Sequence, residues 1–342
     1  MAETIAVDLA KSVFEIVVST APGKIVARER VPRRKFLDFF VNRPAATVVM
    51  EACGSAHFWA RKIQSLGHTV VLLPPAQVHP YVVRNKTDRT DVRGMLEAHR
   101  NEDIRPVPIK TVEQQALASL HRVRSASVAD RTAKINLLRG LLRELGLVIP
   151  LGARKVIPHA WAFIEDAESG IPDAIRPPLA DLCQDIRALE ERIHELEQRI
   201  AAMAKHSPAV ARLQTIPGVG LLIATAVLAF VGDVHRFPSD RHFASYLGLT
   251  PREHSSGSRR WLGGISKRGD SYLRTLLIHG ARSSISHAHS NPDPDRLRAW
   301  ALKLEKTSGA KTAAVALANK MARIVWAVLK NDRDFKSAPK AA

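Results

Sequence analysis

The chain has 342 residues, 46% of them hydrophobic, which is enough to bury substantial cores and predicts two or three domains rather than a disordered tail. With 51 Lys and Arg against 33 Asp and Glu, the formal charge is +18 and favours a polyanionic partner, nucleic acid before a membrane surface. No apolar run approaches the roughly 20 residues of a membrane span, MAETIAVDLAKSVFE lacks the basic-then-apolar pattern of a leader, and the two cysteines, Cys53 and Cys183, lie too far apart for a disulfide framework or a zinc spacing. The expectation is a soluble, cytoplasmic protein with no membrane partner and two ordinary thiols in core or interface positions.

The first elements are short apolar bursts. TIAVDLA, FEIVVST and KIVARERVP read as three adjacent strands, the last two separated by the turn Ala21-Pro22-Gly23. A helix is expected near RRKFLDFFVNRP, then the strand TVVMEA, a helix over HFWARKIQSLG and the apolar strand TVVLLPP. An opening meander followed by alternating strand and helix predicts a mixed α/β sheet of the ribonuclease H type. KTDRTDVRG, from Lys86 to Gly94, then opens the next helix.

From Thr111 to Leu147 the pattern is helical, with a basic surface that includes Arg122, Arg124, Arg131, Lys134, Arg139 and Arg143; it fits either a solvated face or a nucleic-acid contact. Prolines at 150, 158 and in the 172–178 region separate it from a second helix. That helix carries Leu179, Leu182, Ile186, Leu189, Ile193, Leu196, Ile200 and Met203 at spacings of 3, 4, 3, 4, 3, 4 and 3. This heptad seam predicts a coiled coil, self-associating into a dimer or higher, or else an internal helix hairpin. In LQTIPGVGLLIATAVLAF, Gly218 and Gly220 fit either the tight loop of a helix-hairpin-helix, whose backbone N–H groups would face a DNA phosphate, or a plain connector between helices. A Gly, Ser and Arg-rich stretch follows, YLGLTPREHSSGSRRWLGGISKRGDSYLRTLL. After the break at NPDPD the chain closes with the helical pattern TAAVALANKMARIVWAVLK and a short basic tail.

Four acids stand out by position. Asp8 interrupts the first apolar strand, where an unpaired charge is costly. Glu51 ends the strand TVVME, and strand ends are where such sheets meet ligands. Asp88 and Asp91, three residues apart, share one helix face. Carboxylates brought together repel one another unless cations lie between them. The cations are either the neighbouring Lys86, Arg89 and Arg93 or a hard, oxygen-seeking metal, of which Mg²⁺ is the natural one. Metal ions held this way activate an attacking oxygen and stabilise a leaving one in phosphodiester chemistry.

TIAVDLAKSVFEI, VVMEACGSAHFWARKI and KTDRTDVRGMLEA resemble the D, E and D-x-x-D blocks of the DEDD transposases, the insertion-sequence one-ten family, related to the Piv DNA invertases and RuvC-like nucleases. TIPGVGLLIATAVLAFVGDVHRF and ASYLGLTPREHSSGSRRWLGGISKRGDSYLRTLL are similar to the second domain of that family, so the resemblance covers nearly the whole chain. It implies a RuvC-like DEDD catalytic domain over 1–110, a helical and coiled-coil region over 111–206, and a small, mainly helical C-terminal transposase domain over 207–342. By motif it assigns catalysis and Mg²⁺ to Asp8, Glu51, Asp88 and Asp91, and the nucleophile to Ser256, with Ser255 and Ser258 near enough to be confused with it. Val92-Arg93-Gly94 departs from the family pattern, and Gly94 weakens the helix by about 1 kcal/mol relative to Ala.

A serine hydroxyl needs its proton removed and the attacked phosphate neutralised. Arg259, Arg260, Lys267 and Arg268 are the candidates to bind that phosphate and its neighbours. His254 is either a base or a phosphate contact, and Trp261 either a stacking platform or a core residue. The activity implied is Mg²⁺-dependent DNA strand exchange through a phosphoserine, guided by an element-encoded RNA. It would proceed in a homo-oligomer, dimer or tetramer, in which one subunit's acids act with another's serine. Two other readings are a water-using RuvC-like junction nuclease and a non-catalytic RNA-binding assembly protein.

Overall fold

Continuous burial along β-strands at Thr4–Asp8, Val13–Ala21 and Thr47–Glu51, whose side chains point to two covered faces, decides the architecture of the N-terminal part. The computed structural model describes residues 3–82 and 87–336, with the side chains of Asp88 and Arg89 outside that description. The chain divides into two compact units, Met1–Thr111 and Val112–Ala342, so the helices of 111–206 and those of 207–342 fall in one unit.

In the first unit β1 (Thr4–Asp8), β2 (Val13–Ala21) and β3 (Lys24–Pro32) form the expected antiparallel meander, and β4 (Thr47–Glu51) and β5 (Thr69–Leu73) add in parallel on the other side of β1. The resulting mixed sheet has the order β3-β2-β1-β4-β5. Side chains alternate between its faces. Ile5, Val7, Phe14, Ile16, Val48 and Met50 pack under α1 (Ala56–Gln64), where Phe14, Phe36 and Trp59 meet edge to face at centroid separations of 4.5 to 5.5 Å. Ala6, Val17, Val49 and Leu73 face the other way. They pack with Val78 of the short α2 (Pro75–Val78) and with Val92, Met95 and Leu96 of α3 (Asp88–His99).

The helix expected near 33–44 is instead a 3-10 turn over Arg33–Lys35 followed by further turns. Prolines at 32 and 44 bound the segment, and its buried Phe36 and Phe40 pack into the core under α1. Gly94, which costs α3 helix propensity, has a packing reason. A Cβ there would lie 2.9 Å from Val82 Cγ2 and 3.3 Å from the Tyr81 carbonyl.

The second unit opens with α4 (Val112–Glu144), α5 (Val156–Glu165) and α6 (Arg176–Ala204). Arg124 pairs with Glu197 at 2.6 Å, Arg131 with Glu190 at 4.0 Å and Lys134 with Asp185 at 2.6 Å, so residues rising along α4 meet residues falling along α6. The seam is an antiparallel pair within one chain. Leu179, Cys183 and Ile186 pack with Ile135, Leu138 and Leu142, while Ile200 packs with Leu117. The expected self-associating coil is therefore corrected to the internal hairpin, because α4 already occupies the seam. The seam departs from the strict heptad at two positions, where Cys183 and Ala204 are buried in place of the expected Leu182 and Met203, and Met203 is 45% exposed. A straight helix turns away from a strict heptad in this manner.

The remaining helices are α7 (Pro208–Gln214), α8 (Leu221–Val231) and α9 (Asp240–Tyr246), then a two-stranded hairpin of β6 (Pro251–Glu253) and β7 (Leu262–Ile265), then α10 (Ser271–His289), α11 (Arg296–Ser308) and α12 (Ala310–Asn331). Ile223, Val227, Phe243, Leu273, Leu277, Leu317, Met321 and Val325 share one core. By length and composition α12 is apolar enough to cross a membrane, contrary to the expectation that no run approaches that length. Its Ala313, Ala314, Leu317, Ala318, Met321, Ala322, Val325 and Val328 are buried in the protein core instead.

Candidate active site

Two acids close neighbouring parallel strands. Asp8 ends β1 and Glu51 ends β4; Val7 stands opposite Met50, so the next step in register sets Asp8 beside Glu51. Each follows an α3-facing residue, Ala6 or Val49, by two positions and so faces the same side. Cys53 sits close to both. It is exposed rather than in the core, yet partial desolvation, then the Glu51 and Asp8 carboxylates, push its thiol above the ordinary range.

The helix that covers this face begins nearby. Thr87 caps α3: its Oγ1 accepts from Thr90 N, while Thr90 Oγ1 accepts from Thr87 N at 2.9 Å. That reciprocal cap fixes the first turn, placing Asp88 at its first position and Asp91 one turn on, where the helix dipole favours negative charge. The side chain of Asp88, and Lys86 before it, lie outside the described residues.

Among the described residues no three ligand side chains converge on one point. The donors that do share this face are carboxylate oxygens, and that hard donor set fits Mg²⁺ better than a softer metal. Sequence reasoning missed a further acid, Glu15. It stands opposite Asp8 across β1 and β2, is only 8% exposed, and has Arg28 at 4.0 Å and Arg30 at 3.6 Å. Two guanidinium groups flank it. A charged residue inside FEIVV was its only sequence signal.

In the second unit the Ser-rich stretch forms the tip of the β6–β7 hairpin, an element the sequence reading did not identify. Ser256 N donates to Arg259 O at 3.2 Å and Arg259 N to Ser256 O at 3.1 Å, closing a two-residue turn over Gly257 and Ser258, with Gly257 at φ 54°. The pairing continues with His254 N donating to Trp261 O at 3.0 Å. Ser256, Arg259, His254 and Trp261 therefore share one face of the hairpin, and Ser255, Arg260 and Glu253 the other.

The two serines differ in their surroundings. Ser255 Oγ donates to Glu253 Oε1 at 2.7 Å, and Arg260 Nε donates to the same oxygen at 3.1 Å. The Ser255 hydroxyl, then the Arg260 charge, hold the Glu253 carboxyl below its usual range. Among the described residues none hydrogen-bonds the Ser256 hydroxyl. Trp261 is 59% exposed, so its expected alternative as a core residue is excluded.

The hairpin is rigidly based. Lys267 N donates to Gly248 O at 3.1 Å and Ser266 N to Thr250 O at 2.8 Å, while the Arg274 guanidinium donates to Leu247 O at 3.1 Å and Arg268 O at 3.2 Å. Asn319 Nδ2 ties Leu249 O to α12 at 3.0 Å. These interactions present Arg259, Arg260, Lys267 and Arg268 to solvent, all four exposed. Lys267 adopts the left-handed φ of 56°, which is uncommon for a side chain.

Residues 5–146 match the DEDD transposase family of IS110, and residues 210–297 match the family described as "Transposase IS116/IS110/IS902 family". A "Probable family 20 transposase" from Pseudomonas aeruginosa is 42% identical over 97% of this chain and 98% of its own. The chain belongs to the IS110/IS116 transposase family. The transposase for insertion sequence element IS1111A of Coxiella burnetii is 39% identical over 96% of this chain and 90% of its own, and that for IS1328 of Yersinia enterocolitica 36% over 95% and 96%. As a member, this chain is a transposase, a DNA-cleaving recombination enzyme.

The transposase presents the two predicted loop glycines differently. Between α7 and α8, Gly218, at φ 89°, packs against α10, where an added Cβ would lie 2.7 Å from Gly280 O. Gly220 caps α8 on the open side, with nothing within 4 Å of an added Cβ.

Proposed function

We propose that this transposase cuts and rejoins the ends of its insertion sequence through a covalent bond between Ser256 Oγ and a DNA phosphate. In this reading Ser256 Oγ attacks phosphorus, the bond to one sugar oxygen breaks, and that oxygen departs as a hydroxyl carrying the proton lost by the serine. Rejoining reverses the step with a new sugar hydroxyl, so the energy of the broken phosphodiester is retained. Arg259, on the same hairpin face, neutralises the attacked phosphate, and Lys267 and Arg268 hold its neighbours. Asp8, Glu51, Asp91 and Asp88 would hold Mg²⁺, which when bound supplies positive charge to the reacting oxygens.

The observation that carries this reading is the contrast within the hairpin tip: Ser255 is engaged by Glu253, whereas the Ser256 hydroxyl is left for an incoming phosphate. Support for a RuvC-like first unit comes from the strand order and from the acids at the ends of β1 and β4. We read α7, its glycine turn and α8 as a helix-hairpin-helix whose Gly220 end meets the DNA backbone. A structured RNA from the element directs target choice in this proposal, consistent with diffuse basic charge and few aromatics, and the enzyme works in the cytoplasm as a dimer or tetramer.

The test incubates element-end DNA with the flanking-region RNA and Mg²⁺ and resolves protein-linked DNA on a denaturing gel. Wild type and Ser255→Ala should form the adduct, while Ser256→Ala, Asp91→Asn and chelated samples should not. Cleavage without an adduct that survives Ser256→Ala would instead establish a water-using nuclease. Binding with no metal-dependent cleavage in any sample would establish a non-catalytic RNA-binding protein.

A further inference from the structure

A groove of about 770 Å³ runs between the β6–β7 hairpin and α12, closed at one side by Trp300 of α11. It lies within the size range of small-ligand sites. Its apolar floor is Leu249, Val315 and Ala316, and its cations are Lys311, Lys320 and Arg323. The Lys320 ammonium sits 4.1 Å from the centre of the Trp300 ring. Neither Lys311 nor Lys320 has an acid partner among the described residues; Arg323 donates to Asp240 at 2.6 Å. Desolvation, then the Arg296 and Arg323 charges, lower the pKa of Lys320. The groove thus concentrates uncompensated positive charge beside an apolar surface.

Its hairpin wall is built from Gly263 and Gly264, where β7 bulges: three steps from Leu262 to Ile265 face two from Pro251 to Glu253. An added Cβ at Gly264 would meet nothing within 4 Å, and Gly264 has no left-handed φ to demand glycine. A side chain would fit at Gly264, so the bare backbone of this bulge leaves the wall open to close approach by another molecule. Leu262 is paired with Glu253, three residues before Ser256, so the mouth of the groove lies roughly 10 Å along the hairpin from the serine.

We propose that this groove seats an unpaired nucleotide of the DNA strand that Ser256 acts on, with its base on the apolar floor and its phosphate at Lys311 and Lys320. Apolar floor, glycine wall and unpaired cations together match a nucleotide, which joins a flat ring to an anion. The inference rests on the DNA-handling role proposed for the hairpin, and it adds a second contact that holds the strand beside the scissile phosphate.

The experiment measures fluorescence anisotropy of a labelled oligodeoxythymidylate, an oligouridylate of equal length and a duplex with the full-length protein at fixed salt. Gly264→Leu fills the groove and Lys320→Met removes its charge. Each should weaken the single-stranded DNA complex about tenfold and change duplex binding less than twofold, with an unchanged melting temperature. If both variants bind oligodeoxythymidylate like wild type while wild type still forms the serine adduct, the groove proposal is overturned and the hairpin role stands. Tighter oligouridylate binding that alone responds to Gly264→Leu would overturn the choice of DNA. A wild type that neither binds nor cleaves DNA would sink the proposed function itself.

Discussion

At the scale of single residues, two helical glycines illustrate how the same substitution changes sign with its neighbours. Gly140 lies exposed near the C-terminal end of α4, still within the helix, where an added Cβ meets nothing within 4 Å. Gly140→Ala should stabilise the protein by about 1 kcal/mol, the difference in helix propensity. Gly280 lies in α10 against the turn between α7 and α8, where the new Cβ would fall 2.2 Å from Gly218 O and 2.5 Å from Ile223 Cδ1. Backbone cannot yield as a flexible side chain does, so Gly280→Ala should destabilise by roughly 1–3 kcal/mol despite its better propensity. Thermal unfolding of the two variants should shift the melting temperature in opposite directions. Equal shifts would mean that the turn does not press on α10.

Between elements, a buried polar network fastens the long hairpin to the C-terminal core. His121 of α4 is fully buried, with Nδ1 2.9 Å from Tyr272 Oη of α10 and Nε2 3.0 Å from Thr225 Oγ1 of α8. Thr225 Oγ1 donates to Leu221 O at 2.7 Å, so His121 Nε2–H donates to it and His121 Nδ1 accepts from Tyr272. Desolvation, then Arg124, lower the His121 pKa to about 4. The folded protein therefore resists a proton that the unfolded chain accepts near pH 6.5. The network's contribution is complete above that pH and declines as pH falls towards 4, by about 3 kcal/mol in all. His121→Gln should be less stable at pH 8 and should lose much of this pH slope in denaturant titrations; an unchanged slope would place the titrating group elsewhere. None of this was legible in the sequence, because α4, α8 and α10 lie far apart along the chain and one histidine in a basic helix carries no sign of its partners. Short apolar strands, the D-x-x-D helix and the heptad seam were legible, because each follows a local period. The identity of the seam's partner was not, since an apolar stripe specifies a complementary face without saying whose it is. Likewise the hairpin hid in a Gly, Ser and Arg-rich stretch, where turn residues outnumber the two short strands they join.

For the whole molecule, a charge of +18 says that anions are attracted but not where they are held. The basic face predicted for α4 is largely spent inside the protein: Arg124, Arg131 and Lys134 pair with acids of α6, and Arg139 donates to Pro150 O at 2.8 Å and Gly152 O at 3.1 Å. Cations at the hairpin differ, since Arg259 and Arg268 are exposed and no acid among the described residues pairs with either. Phosphate contacts reveal themselves through counterion release, each steepening the fall of log affinity with log salt by about 0.9 on duplex DNA. The double variant Arg259→Gln, Arg268→Gln should therefore reduce that slope by about 2 and weaken binding at low salt. Lys134→Gln should leave the slope unchanged and cost at most about 1 kcal/mol of stability, because its charge serves an exposed ion pair with Asp185. If Lys134→Gln flattened the slope as much as the hairpin variant, DNA would be held along the helical pair, and the hairpin would lose its claim to be the principal anchor of the DNA backbone.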